Sequence, residues 1–313
     1  MNLERAVRLY VERKLSFGFH YEYSCAIHRS LLRSIGDVPL RSITPRQIEA
    51  FLNGPRTGNS AWHQKYDTLE RFFRFWVSRG KLKRVPMPRA IPKQPVTFVS
   101  YIYSRAELRR LLDATLVRKR RCRCVIAPET LRTFLLFLYA TGVLVGEAVA
   151  LLRRDIDFSK ETITVRSSYP GRTRVIPIGP AVHKLLSDYL RSRVRQQHRA
   201  ATVFVDNNGK AISRPTLVGC FQRVRKTARV TRHVHEVYQP RMHDLRHTFA
   251  VHRLTSWYEE GENVVVLLPA LAAYMGHVGI GAMERYLSLT PAHYRRQVTE
   301  LSAPLIRKRS LKR

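Results

Sequence analysis

The sequence predicts a mainly helical chain with one small β-sheet, divided into two domains. Three observations carry that expectation. Apolar residues recur at helical spacing from residue 3 to about residue 84, punctuated by glycines. A basic, proline-rich run follows that no helix tolerates. Helical patterns then resume, interrupted by only one β-branched stretch.

The elements follow in order. Leu3, Val7, Tyr10 and Val11 share one helical face, and Ala26, Ile27, Leu31 and Ile35 share a second that stops at Gly36. "ITPRQIEAFLN" starts a third helix, with Thr44 as N-cap, Pro45 at the first helical position and Gln47 closing a capping box; Ile43 and Ile48 are placed as a hydrophobic staple. A fourth, "AWHQKYDTLERFFRFWVSRG", turns Leu69, Phe72, Phe73 and Trp76 inward and ends at Gly80. These make a domain of residues 1–84. Residues 85–103 form an extended basic linker carrying Pro86, Pro88, Pro92 and Pro95. The second domain, 104–313, opens with a capping box at Ser104 and Glu107, stapled by Tyr103 and Leu108. "PETLRTFLLFLYATG" reads as a buried helix ended by Gly142. Ile163 and Val165, then Val175, Ile176 and Ile178, mark strands. Helices are expected at about 180–196, 215–228, 245–258, 264–275 and 282–287.

Charge narrows the function classes. Lysine and arginine number 56 against 23 acids, a net charge of +33, and 44 of the 56 are arginine. A balance so basic implies a polyanionic partner, and guanidinium favours phosphate because it grips two oxygens at once. No run of eighteen apolar residues occurs, and the longest, "VVVLLPALAA", contains Pro269, so no membrane span is expected. The N-terminus lacks an apolar core of the secretory kind. The four cysteines, Cys25, Cys122, Cys124 and Cys220, lack zinc-site spacing and fit thiols of a reducing cytoplasm.

"HDLRHTFA" crowds His243, Arg246 and His247 into one turn at the start of a helix. Three chemistries compete for it. His243 and His247 with Asp244 imitate the zincin His-Glu-x-x-His pattern, which would make a zinc hydrolase. The residues can equally be satisfied polar groups at a helix start. Or Arg246 and His243 hold the oxygens of a phosphate. Downstream, "YMGHVGIGAMERYLSLTP" sets His277 nine residues before Tyr286. Gly279 and Gly281 between them let the chain turn, so that the two side chains converge.

Together these stretches resemble the tyrosine recombinase (phage integrase) family. "HDLRHTFA" matches its His-x-x-Arg box, "LPALAAYMGH" its Gly-His box and "ERYLSLTP" its nucleophile segment, over about residues 105–300. The helical region before them resembles, more loosely, the family's core-binding (SAM-like) domain. The resemblance implies a C-shaped clamp on double-stranded DNA and site-specific recombination or integration of a mobile element. Four subunits, identical or from related recombinases, would act on two DNA sites. It implies that Tyr286 attacks a phosphodiester to give a 3′-phosphotyrosyl link, that Arg246 clamps the non-bridging oxygens, that His243 assists as donor and acid/base, and that His277 donates to an oxygen. It implies no metal and no other cofactor, and a cytoplasmic, nucleoid-associated protein of a bacterium. The tail beyond Tyr286 carries Val298, Leu301 and Leu305 as apolar positions for docking on a neighbour, or lies on DNA through its terminal "RKRSLKR".

Two family positions are substituted. In the Thr-Gly-x-Arg-x-x-Glu box, here "TGVLVGE", Leu144 stands for the arginine. In the Lys-x-Gly-Lys-x-Arg-x-x-Pro box, here "YPGRTRVIP", Tyr169 stands for the lysine. Leucine donates nothing to phosphate. Arg172 and Arg174, and beyond them Arg153 and Arg154, are the candidates to compensate. Without compensation the chain would be a degenerate subunit that binds DNA and assembles with active recombinases.

Overall fold

The computed structural model describes residues 1–17, 21–54, 58–92, 99–117, 125–166, 173–193, 201–232, 238–277 and 281–290. Its contacts divide the chain between Phe98 and Val99 into two units, each with its own core.

The first unit is helical among its described residues: α1 (Leu3–Ser16), α2 (Glu22–Ile35), α3 (Pro45–Leu52) and α4 (Asn59–Ser78). α3 begins with the expected capping box: Thr44 Oγ1 accepts from Gln47 N–H at 3.4 Å, and Thr44 N–H donates to Gln47 Oε1 at 2.9 Å. Leu69, Phe72, Phe73 and Trp76 of α4 are buried against Leu3, Val7 and Tyr10 of α1 and Leu31 of α2. One position departs from the expected face. Ala26 is exposed, and the buried stripe of α2 runs through Ile27, His28 and Leu31 instead. Leu82, and Val85 and Met87 of the proline stretch, pack on this core.

The second unit is built around α6 (Pro128–Thr141), which follows α5 (Arg105–Leu116) and is packed by it. Apolar side chains on more than one face of α6, among them Leu131, Phe134, Phe137 and Leu138, are buried, the mark of a helix enclosed by neighbours. A one-turn helix, α7 (Val145–Val149), leads to an antiparallel meander of β1 (Ile156–Asp157), β2 (Thr162–Val165) and β3 (Arg174–Pro177). Ile163 pairs with Ile156 on one side and Ile176 on the other, while Val175 of the edge strand points to solvent. α8 (Pro180–Ser192), α9 (Arg214–Thr227), α10 (Asp244–Glu259), α11 (Val264–Met275) and α12 (Gly281–Leu289) complete the unit. The sequence places α8 through residue 196; it ends at Ser192, and 194–200 lie outside the described residues. α11 runs through Pro269, which does not break it. No helix among the described residues is long and apolar enough to cross a membrane. Cys122, Cys124 and the tail with Val298, Leu301 and Leu305 fall outside the described residues.

Candidate active site

The site forms where α6, α10 and α11 end or begin, and α12 packs on α10 and α11. From Asp244 to Val251, α10 is buried all round, polar side chains included. Asp244 is fully buried and its carboxylate accepts from Arg241, from the backbone N–H at 2.8 Å and from Nη2 at 3.3 Å. The one acid of the "HDLRH" turn is thus held by a neighbouring arginine.

Arg246 is 5% exposed. Its Nη1 donates to the Gly142 carbonyl and its Nη2 to the Met275 carbonyl, each at 2.6 Å. Those carbonyls stand at the C-terminal ends of α6 and α11, where the peptide dipoles leave partial negative charge. The cation is therefore seated across two helix ends, a place that favours it without a carboxylate. Gly142 makes the seat by taking a left-handed conformation (φ 61°) against the ring of Phe249; a Cβ there would lie 2.3 Å from Phe249 Cδ1.

Gly276 does the corresponding work at the other end. Its left-handed turn (φ 75°) closes α11, and His277 N–H reaches back to the Ala272 carbonyl at 2.9 Å. His277 Nε2 is then 3.3 Å from Arg246 Nη2 and 3.4 Å from the Tyr286 hydroxyl. Guanidinium only donates, so Nε2 is the acceptor and the ring proton sits on Nδ1. The convergence expected from the glycines between His277 and Tyr286 is present in the fold.

Tyr286 is 2% exposed and lies in a core with Phe249, Leu254, Leu271 and Met283. Burial raises its phenol above the ordinary value, and Arg246 pulls the other way. His277 is pushed down to about 4, first by burial and then by Arg246 and Arg174. His243 is lowered by burial, Arg246 and Arg241. Both imidazoles are neutral in the free protein near pH 7.

The substituted positions differ in what they leave behind. Leu144 is half-buried at the start of α7, where its backbone N–H donates to Glu147 Oε2 at 2.9 Å. Glu147 also binds Arg174 through two parallel contacts, Nη1 to Oε1 at 2.7 Å and Nη2 to Oε2 at 3.0 Å. Arg174 Nε donates in addition to the Tyr274 carbonyl at 2.7 Å. This ion pair is nearly buried, and a Cβ on Gly276 would come within 2.8 Å of Arg174 Nη1. Arg174 thus ties β3 and α7 to the end of α11 and is not a free arm for phosphate. Arg153 and Arg154 are exposed on the turn before β1. Tyr169 and Arg172 lie outside the described residues.

Sequence reasoning missed the two carbonyls under Arg246 and the Glu147–Arg174 clamp. Carbonyls carry no side-chain signature. The clamp had one: each of two boxes keeps a charge of opposite sign. As for the zinc reading, the rings of His243 and His247 meet edge to face with centroids 5.0 Å apart, and no group of three metal-ligating side chains occurs among the described residues.

Residues 104–293 match the model of the phage integrase family. The chain is 28% identical to the y4rB protein of Sinorhizobium fredii, described as an integrase/recombinase candidate, over 92% of this chain and 93% of that one. It is 26% identical to the tyrosine recombinase XerC of Oceanobacillus iheyensis, over 88% and 86%. Among solved structures, the Tn1549 transposon integrase in complex with transposon right end DNA superposes with a TM-score of 0.70 at 17% identity, over 97% of this chain and all of that one. A lambda integrase tetramer bound to a Holliday junction gives 0.60 at 18%, over 89% and 78%. With its His-x-x-Arg, Gly-His and tyrosine segments folded into one site, this chain belongs to the phage integrase family, the tyrosine recombinases.

Proposed function

We propose that this protein binds double-stranded DNA and, in site-specific recombination, cleaves it slowly through Tyr286. One observation carries the reading: Arg246, seated on two helix ends, reaches His277, and His277 reaches the Tyr286 hydroxyl. The Tyr286 oxygen attacks the phosphorus, the bond to the 5′-oxygen breaks, and a 3′-phosphotyrosyl ester and a free 5′-hydroxyl result. Charge grows on the non-bridging oxygens during attack. Arg246 and His243 are the donors that meet it. Storing the bond as an ester lets the reverse attack rejoin strands without a nucleotide cofactor.

Leu144 slows the reaction, and Tyr169 in the family's lysine position bears on it as well. Losing one preorganised donor to a developing oxyanion costs about 10²–10³ in rate in other enzymes. Arg174 does not replace it, because Glu147 and Tyr274 hold its guanidinium. The same fact favours a second reading, a subunit that grips DNA and assembles with active recombinases. The net charge of +33 supports DNA binding under either. Residues 1–84 would grip the core site as one arm of a clamp, in a tetramer, identical or mixed, spanning two DNA sites in the bacterial cytoplasm.

A nicked duplex from the ends of the host element, whose cleaved fragment cannot religate, separates the readings. A covalent protein–DNA band that disappears in Tyr286→Phe supports cleavage. Tight, salt-sensitive binding with no band in either protein supports the holding subunit.

A further inference from the structure

His247 has no role in the chemistry described above, yet it lies closer to the nucleophile's ring than any other histidine of the site. Its ring centroid is 5.4 Å from that of Tyr286, against 5.8 Å for His277, and 5.0 Å from that of His243. The phenol ring therefore has two imidazoles beside it. His247 is 5% exposed, and its Nδ1 is buried with no hydrogen-bond partner. An unsatisfied buried polar atom costs about 1–3 kcal/mol. Tyr286, the ring it meets, lies in a core with Val251 and Met283, and a phenylalanine at 247 would carry no such cost. Folding alone gives no reason for a histidine here.

The charges around it point to a neutral ring. Burial, then His243, Arg285, Arg246 and Arg241, push His247 down to about 3, so near pH 7 it offers one nitrogen as acceptor. The Tyr286 phenol is a donor on a ring in contact with His247, and its hydroxyl is held at 3.4 Å by His277 Nε2, an atom it shares with Arg246. A phosphate entering the site would draw Arg246 and His277 toward its oxygens and leave the phenol without its acceptor.

We infer that His247 is a positioning residue for Tyr286: its Nδ1 accepts the phenol hydrogen bond when phosphate occupies the site and fixes the direction of the attacking oxygen. The inference rests on the cleavage reading above. It concerns a residue that acts through the nucleophile and does not itself touch the DNA.

The test compares His247→Phe, His247→Asn and His247→Gln with the parent, each alone and in a Leu144→Arg background. Single-turnover adduct formation is measured on the nicked duplex at saturating DNA, beside DNA affinity and melting temperature. Asparagine carries a polar atom where Nδ1 sits; glutamine carries it where Nε2 sits. The expected pattern is that His247→Phe keeps the parent's DNA affinity and melting temperature but forms adduct at least tenfold more slowly. His247→Asn recovers most of that rate and His247→Gln does not. Adduct formation by His247→Phe within twofold of the parent overturns the inference. So does His247→Asn being as slow as His247→Phe, or a loss of rate that only follows a loss of folding or affinity. No Tyr286-dependent adduct from any protein that retains His247, in either background, removes the cleavage reading and this inference with it.

Discussion

Gly142 is the residue on which the site turns. Its left-handed backbone and its contact with Phe249 place the carbonyl that receives Arg246. Gly142→Ala adds a methyl where no room exists and forces a strained backbone, together about 2–4 kcal/mol by melting or denaturant titration. Gly142→Ala with Phe249→Leu recovers part of that loss if the ring contact is its main source. The Glu147–Arg174 pair makes a second prediction. Removing either partner leaves a charge stranded in the interior, so Glu147→Ala and Arg174→Ala each cost about 3–5 kcal/mol. The double variant costs clearly less than their sum; additive losses would mean that the pair does not act as a unit. At this scale side-chain type and spacing pointed to residues that the fold brings together, Arg246, His277 and Tyr286. His243, Arg246, His277 and Tyr286 all stand out by type and spacing. What holds Arg246 was not readable, because backbone carbonyls look the same in every sequence.

Among the elements, α3 and α5 were legible to the residue, since Thr44 with Gln47 and Ser104 with Glu107 close reciprocal hydrogen bonds that only a helix start uses. α2 was legible in place and, apart from Ala26, in facing, since Ile27, Leu31 and Ile35 pack on the core. Its buried stripe includes His28, which periodicity read from apolar residues passes over. His28 is fully buried among Tyr10, Tyr21 and Phe72, with neither ring nitrogen paired. Burial pushes it from an ordinary value near 6.5 down to about 4. The unfolded chain takes up a proton below about pH 6.5 and the folded chain only below about pH 4, so this residue costs stability as pH falls between the two. His28→Leu is expected to match or exceed the parent's stability at pH 7 and to lose less of it between pH 6.5 and 4. A steeper acid loss in the variant would contradict that. α11 was legible across its proline: the helix expected at about 264–275 runs Val264–Met275, because the one hydrogen bond lost at Pro269 is outweighed by the burial of Val264, Leu268, Leu271 and Met275.

The whole molecule joins an excess of 33 positive charges to a site in which the nucleophile is folded away. Charge of this size predicts that DNA affinity falls steeply with salt, log K declining linearly with log salt as counterions are released. A shallow slope would mean that few of the arginines meet phosphate. Val85 and Met87 of the proline-rich stretch pack on the first core, since apolar side chains pack where they can even on a chain that cannot be helical. The central claim is that this is a recombinase centre in which Leu144, beside the substitution at Tyr169, has removed a phosphate donor that limits the rate. The most direct test is the adduct rate of Leu144→Arg against the parent on the nicked duplex, with Tyr286→Phe in both. The account predicts a Tyr286-dependent rate about 10²–10³ faster in Leu144→Arg. An unchanged rate, or an adduct that survives Tyr286→Phe, would contradict it.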